Sequence, residues 1–388
     1  MSFRVMILGA EYPHSNKVKD GIFIQDQAVA LNRQGIRADV VFVEPRSLKD
    51  LSVKGLSENH FQITESTEDG VLTLRQKAWN PYMNSTVGGL IYAWLTCRLI
   101  DRYISKMGKP DIIHAHNTFW VGLSAMKISI KYNIPYIVTE HSSRFVLGSI
   151  TKSMHGIASK VLAAASTCIA VSDSVGLKLL EYGAVKVETI SNVVNTDFFS
   201  LPKLKRPEKF TFCAIGNMTK NKAFDVLLRA FQVIVSESDD DIRLIIGGGG
   251  ECLDDYKTLC DQLGLSEKVT FLGNVCRDEV REILWASHAL ILPSYKETFG
   301  VVLIEALATG IPVIGSRCGG PESIIDENCG YIFEPGNFLE LSEKMTALRR
   351  RSWEGNSLRE YTIKRFSETA LVDNLRRFYT LTSDIHIS

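Results

Sequence analysis

Two glutamates with seven residues between them, Glu297 and Glu305, frame Thr298, Phe299, Gly300 and Val301 in the run SYKETFGVVLIEALATGIPVIGSRCGGPESII. From Val301 the apolar residues continue at helical density until Gly310 and Pro312 end them, and Thr298 is a suitable N-cap. A helix N-terminus combines unpaired N–H donors with partial positive charge, so it holds a phosphate without needing many cationic side chains. Glu297 leads from the loop, while Glu305 lies about one turn further from the helix tip, so the two carboxylates can reach different parts of one ligand. Glutamates are mostly solvated surface residues. These two, however, flank an apolar run that must be buried.

Other chemistry-bearing residues point elsewhere or nowhere. His114 and His116 are two apart on an expected strand and share a face. With His141 they supply the ligand types of a zinc triad, but strand histidines are more often hydrogen-bonded core groups, so no metal is assigned. His141, in TEHSSR just past a strand's carboxyl end, is better placed to face a ligand. Asp239 to Asp241 precede the strand IRLII at the end opposite the ligand loops, and read as a solvated turn. The first strand-to-helix turn, GAEYPHS, lacks the G-x-G-x-x-G of a dinucleotide site. Gly247 to Gly250 follow a strand, but the run reads G-x-G-x-x-C, with Cys252 where the fingerprint needs its third small residue. No G-x-x-x-x-G-K-[ST] occurs either.

The elements that must position these residues alternate short β-rich runs with helical patterns, the signature of parallel sheets covered by helices on both faces. At 388 residues the chain is long enough for two such domains. The first half runs from a strand at Arg4 to Leu8, through a helix with Ile24, Ala28 and Leu31, to a strand at Lys186 to Ser191. Residues 47–78 are polar and suggest hairpin-like or irregular segments. Two prolines and four basic residues in TDFFSLPKLKRPEKF suggest a linker, after which a second alternating series begins at Phe210. The expected organisation is an α/β chain of two Rossmann-like doubly wound domains facing a central cleft. The first spans 1–197, a linker 198–209, the second 210–365, and a C-terminal helix over 366–388 is placed to cross back to the first domain.

Composition restricts the partners. With 44 basic and 44 acidic residues the chain has no overall basic field for nucleic acid. Eight cysteines without a C-x-x-C pair argue against zinc and against a disulfide framework, and fit a reducing, cytoplasmic setting. The N-terminus enters a strand directly, without signal-peptide features, and no run of about 18 apolar residues occurs. Val87 to Ile104 mixes aliphatic and aromatic residues with Arg98 and Arg102. It reads first as a partly buried domain helix and second as a peripheral contact with the cytoplasmic face of the inner membrane.

The order of IGNMTKNKAFDVLLRAF, IIGGGGE, FLGNV and the opening run resembles the retaining glycosyltransferases of family 4, which have the GT-B fold. DGIFIQDQAVAL, DIIHAHN, TEHSSR and ISNVVNTDFF extend the likeness over most of the chain. The resemblance implies a metal-independent enzyme without a cofactor, whose nucleotide-diphosphate sugar is the donor and whose acceptor is a glycan or lipid-linked saccharide. The first domain would bind the acceptor and the second the donor. On this reading Glu305 binds the ribose, Thr298 to Val301 bind the diphosphate and sugar through backbone N–H groups, and Glu297 orients the sugar ring. Lys222 neutralises the leaving diphosphate, His141 sits near the reacting sugar, Gly21 lets the backbone approach the ligands, and Val275 contacts the base through its main chain. Gly247 and Asn217 complete the donor set; Asn217 stands where the family usually has Arg, and Lys220 is a nearby replacement cation. Ala223 and Val193 also stand where the family has Gly. Two rivals remain: a GT-B epimerase or phosphorylase, distinguished by turnover without an acceptor, and a catalytically silent binding protein.

Overall fold

The computed structural model describes residues 3–14, 20–46, 61–82, 85–237 and 241–387, with the side chains of 381 and 383–387 excepted. The chain divides into two compact units, Met1–Val193 with Leu371–Ser388, and Val194–Ala370.

The first unit carries an eight-stranded sheet in the order β3-β4-β2-β1-β5-β6-β7-β8. Its strands are β1 (Arg4–Gly9), β2 (Arg37–Arg46), β3 (Ile63–Glu68), β4 (Val71–Trp79), β5 (Ile112–His116), β6 (Tyr136–Glu140), β7 (Thr167–Ala170) and β8 (Val187–Thr189). All pair in parallel except β3 with β4. The central strands β5 and β6 are buried along their whole length because helices cover both faces. On one face helix α1 (Ile22–Arg33) contributes Ile24, Ala28 and Leu31, packed with Leu371, Val372 and Phe378 of the Glu368–Ile387 helix. On the other, α2 (Thr86–Met107) buries Tyr92, Leu95, Leu99 and Tyr103. The polar stretch after β2 resolves over 63–79 into an antiparallel hairpin. Its turn is Asp69-Gly70, with φ of 49° and 83°, as the right-handed twist of a two-residue hairpin demands. Residues 47–60 of that stretch lie outside the described residues.

The α2 segment is the domain helix that its burial pattern favours, started by the Ser85 side chain, which accepts from the Gly88 N–H. Among the described residues no helix is long and apolar enough to cross a membrane.

The second unit has a six-stranded parallel sheet in the order β11-β10-β9-β12-β13-β14. Its strands are β9 (Thr211–Ile215), β10 (Arg243–Gly247), β11 (Val269–Gly273), β12 (Ala289–Leu292), β13 (Val313–Ser316) and β14 (Gly330–Phe333).

The chain passes between units at Val193 and Val194, ahead of the stretch that composition marks as a linker. Residues 198–209 are not a free connection, because aromatic and polar anchors fasten their start to the second unit. Phe199 is fully buried, Arg359 donates to the carbonyls of Thr196 and Phe199, and the Trp285 indole N–H donates to Ser200. Of the acidic triplet, Asp239 and Asp240 lie outside the described residues. Asp241 pairs with Lys209 and Arg243 on the surface, as a solvated turn would.

Candidate active site

In the second unit the loops after β9, β10 and β12 form one hydrogen-bonded system. The N–H of Gly216 donates to the Gly247 carbonyl, and that of Met218 to Gly249. After Asn217, which is exposed, a 3-10 turn over Lys220–Lys222 ends on Ala223 at φ 50°. Alanine therefore occupies a left-handed position where glycine is cheaper, at a cost on the order of 1 kcal/mol. The turn is stitched to the loop after β12: Asn221 donates through Nδ2 to the Lys296 carbonyl at 2.9 Å, and its own carbonyl accepts from Tyr295 at 2.8 Å. Held this way, the Lys222 ammonium meets Glu297 Oε2 at 2.5 Å, with the side chains 23% and 16% exposed.

The helix that follows spans Val301–Ala308 and its N-cap is Gly300, not Thr298. Gly300 adopts φ 96° and no side chain caps the end. That conformation suits glycine, and it leaves Thr298 in the loop ahead of the helix. Phe299 is buried against Phe366, which fixes the loop from within. From the other side the GGPES turn closes in: Glu297 forms a parallel bridge with Gly319, and Gly320 lies directly on the Phe299 backbone. Glu305 is partly buried on the same helix. Val275 is buried with its side chain over Gly247. The set Asn217, Lys222, Gly247, Val275, Glu297 to Val301 and Glu305 thus lies in this unit, and direct contact joins Lys222 to Glu297.

Gly21 and His141 belong to the first unit. Gly21 caps α1 at φ 68°, with the Glu11 carbonyl where a Cβ would stand. Phe23, two residues on, packs against the His141 ring with centroids 4.3 Å apart and the planes tilted by 38°. His141 continues a row: its Nε2 is 2.9 Å from His116 Nδ1, and the His116 and His114 rings stack at 4.4 Å. His114 Nε2 meets Thr139 Oγ1 at 2.6 Å and its Nδ1 meets the Tyr379 hydroxyl at 2.7 Å. Burial lowers the pKa of His114 and of His141 from the ordinary 6.5 to about 3, and that of His116 well below it. All three rings are therefore neutral near pH 7. The four nitrogens of His114 and His116 bind protein groups, so the triad is not arranged around a metal. No group of three potential metal ligands occurs among the described residues.

Sequence reasoning missed three residues here. Gln27 lies buried against His114 and His116, and its signal was a polar residue on the otherwise apolar face of Ile24, Ala28 and Leu31. Asn117 and Trp120 follow β5 with φ of 87° and 49°. Neither is glycine, so no signal marked them, yet strain of this kind concentrates at functional sites. They line a cavity of about 280 Å³ with Glu11, Tyr92, Ser142 and Arg144 at the carboxyl ends of the strands.

Comparison with known proteins agrees with this organisation. Residues 195–365 match the family model of glycosyl transferases group 1, and residues 21–198 match that of glycosyltransferase family 4. An uncharacterized glycosyltransferase of Methanocaldococcus jannaschii is 28% identical over 271 residues, 63% of this chain and 67% of that protein. A putative teichuronic acid biosynthesis glycosyltransferase of Bacillus subtilis is 25% identical over 363 residues, 88% of each chain. Among solved structures, Anabaena HepE in complex with UDP and glucose superposes with a TM-score of 0.72 at 16% identity, over 98% of this chain and 100% of that one. With two Rossmann-like units in tandem and a family model matching each, the chain has the GT-B fold and belongs to the group 1 glycosyltransferases.

Proposed function

We propose that the protein transfers a hexosyl group from a nucleotide-diphosphate sugar to a glycan or lipid-linked saccharide, with retention of anomeric configuration and without a metal ion. The observation that carries this reading is the Lys222–Glu297 pair at 2.5 Å, leading into the uncapped N-terminus of the Val301–Ala308 helix. One loop system thus offers a cation, a carboxylate and free N–H donors, the three things a glycosyl diphosphate needs.

The bond that breaks joins the anomeric carbon to the diphosphate oxygen. Lys222 and the N–H groups from Thr298 to Val301 take up the negative charge on the leaving oxygen, a preorganised electrostatic role. That is why no divalent cation is required. As Lys222 turns to the diphosphate, Glu297 is released to accept from sugar hydroxyls, and Glu305 reaches the ribose. Asn217, in place of a second phosphate cation, leaves Lys220 in the same turn to supply charge.

The Bacillus subtilis relative's name supports an acceptor in cell-surface polysaccharide synthesis, and the HepE complex supports a uridine nucleotide. The cavity beside Trp120, with an aromatic wall and the polar groups of Asn117 and Ser142, has the makeup of a saccharide acceptor site in the first unit. Eight free cysteines suit a reducing, cytoplasmic compartment. Val87, Leu90 and Trp94 are exposed along α2, followed by exposed Arg98, Arg102 and Lys106. Such a face suits peripheral contact with an anionic membrane surface, and W94A is expected to reduce co-sedimentation with vesicles containing anionic lipid. Equal sedimentation of both proteins would remove that contact.

The test is a panel of nucleotide sugars screened by thermal shift, since a bound donor raises stability according to its affinity. The stabilising donor is then incubated with saccharide acceptors and the product's anomeric configuration read by NMR. Turnover that needs no acceptor, or an inverted product, overturns the reading.

A further inference from the structure

In the first unit α1 brings one amide to two imidazoles. Gln27 is 6% exposed, and its Nε2 lies 3.3 Å from His114 Nδ1 and 3.2 Å from His116 Nε2. An amide nitrogen only donates, so both ring nitrogens accept. A neutral imidazole carries a single proton. It must then sit on Nε2 of His114, where Thr139 Oγ1 takes it, and on Nδ1 of His116. The His116 proton points to His141 Nε2 at 2.9 Å, which accepts. The His141 proton is left on Nδ1.

That last N–H differs from the others in the row. His141 Nδ1 is enclosed and no hydrogen bond of good geometry meets it, while the Asn192 side chain interacts with the ring. An enclosed donor left unsatisfied is costly, and an arriving oxygen recovers the loss. At the far end of the row Thr139 and Tyr379 satisfy His114. The row therefore has a closed end and an open one.

We propose that Gln27 and His116 are positioning residues that fix His141 as an Nδ1–H donor, directed at a hydroxyl or carboxylate oxygen of the transferred sugar. This rests on the reading of His141 as the residue facing that sugar. The direction of the whole row follows from the Gln27 amide. With its oxygen in place of its nitrogen, His116 would donate to Gln27 and accept from His141, and His141 Nδ1 would become a bare acceptor. A site with an N–H donor selects an oxygen acceptor and disfavours a deoxy sugar at that position.

The test uses the full chain labelled with 15N-histidine. Long-range proton–nitrogen NMR correlations read which ring nitrogen carries each proton, without reference to activity. The expected pattern is Nε2–H for His114 and Nδ1–H for His116 and His141, with Gln27→Met scrambling the latter two. An Nε2–H tautomer at His141 in the unaltered protein overturns the proposal even where the variant fails to fold. A Gln27→Met protein that keeps the original pattern does the same. In transfer assays Gln27→Met should lower kcat roughly fivefold to tenfold, the loss of one directed hydrogen bond, while UDP affinity stays unchanged. Unchanged kcat in a protein with scrambled tautomers also overturns it. Absence of nucleotide binding in the unaltered protein would instead remove the transferase reading and leave the tautomer pattern standing.

Discussion

In the second unit a cation and a carboxylate pair at 23% and 16% exposure, whereas in the first unit three histidines stand as a neutral, enclosed row. The difference is one of exchangeability. The Lys222–Glu297 pair keeps some contact with water, and an incoming diphosphate offers Lys222 a replacement anion, so the pair can be exchanged rather than merely broken. A buried hydrogen-bonded row is expensive to disturb, because each broken link leaves a desolvated group unpaired. The first arrangement is suited to receiving charge and the second to keeping a direction.

Substitutions can break this contrast. Lys222→Ala should have the largest effect, lowering kcat by more than tenfold and on the order of a hundredfold, as loss of one preorganised charge donor does. Turnover like that of the unaltered enzyme would remove Lys222 from the leaving-group role. Glu305→Ala should weaken donor binding about tenfold by calorimetry, the scale of a lost charge-assisted hydrogen bond. An unchanged dissociation constant would detach Glu305 from the ribose.

Acid sharpens the same comparison from the other side. The unfolded chain's histidines take up protons as pH falls through 6.5, whereas folded His114 and His141 do so only near 3. The stability they contribute is therefore present above pH 6.5 and lost from there down towards 3, by up to about 1.4 kcal/mol per pH unit for each group. Glu140 works in the opposite sense, since burial raises its pKa above 4.5 and the folded form takes up its proton first. The urea midpoint should fall between pH 7 and pH 5, less steeply in His114→Gln; a flat profile would contradict a neutral row. Smallest in effect, raising sodium chloride from 0.1 to 1 M should weaken donor binding only a few-fold, by screening the partly exposed Lys222. Salt-independent affinity would mean that Lys222 makes no ionic contact with the donor.

Much of the second-unit site was legible because it is nearly contiguous. Glu297, Gly300 and Glu305 lie in one run whose apolar residues demand a helix, and the alternation of strands and helices announced both sheets. The helix start was misplaced because a threonine cap and a left-handed glycine compete for it, and only the packing of Phe299 under Gly320 decides between them. Residues 198–209 look like a linker by composition, yet Phe199 is an anchor, and an anchor differs from a loop aromatic only in what it meets. Asn221 carried no signal, and Gln27 only that of a polar residue on an apolar helix face, for a related reason. Each acts through partners more than 70 residues away, and no local period encodes such a contact.

Tyr379 completes the histidine row from the far end of the chain, 265 residues after His114. A ribosome delivers the eight-stranded sheet first, then the entire second unit, and only afterwards the helix bearing Leu371, Val372, Phe378 and Tyr379. Until that helix emerges, the first unit must wait with His114 short of a partner and one face of its core uncovered. Its maturation is thus a post-translational event, timed by synthesis of a unit to which it does not belong, and a gene cut between the two sheets would yield a first half that never finishes folding.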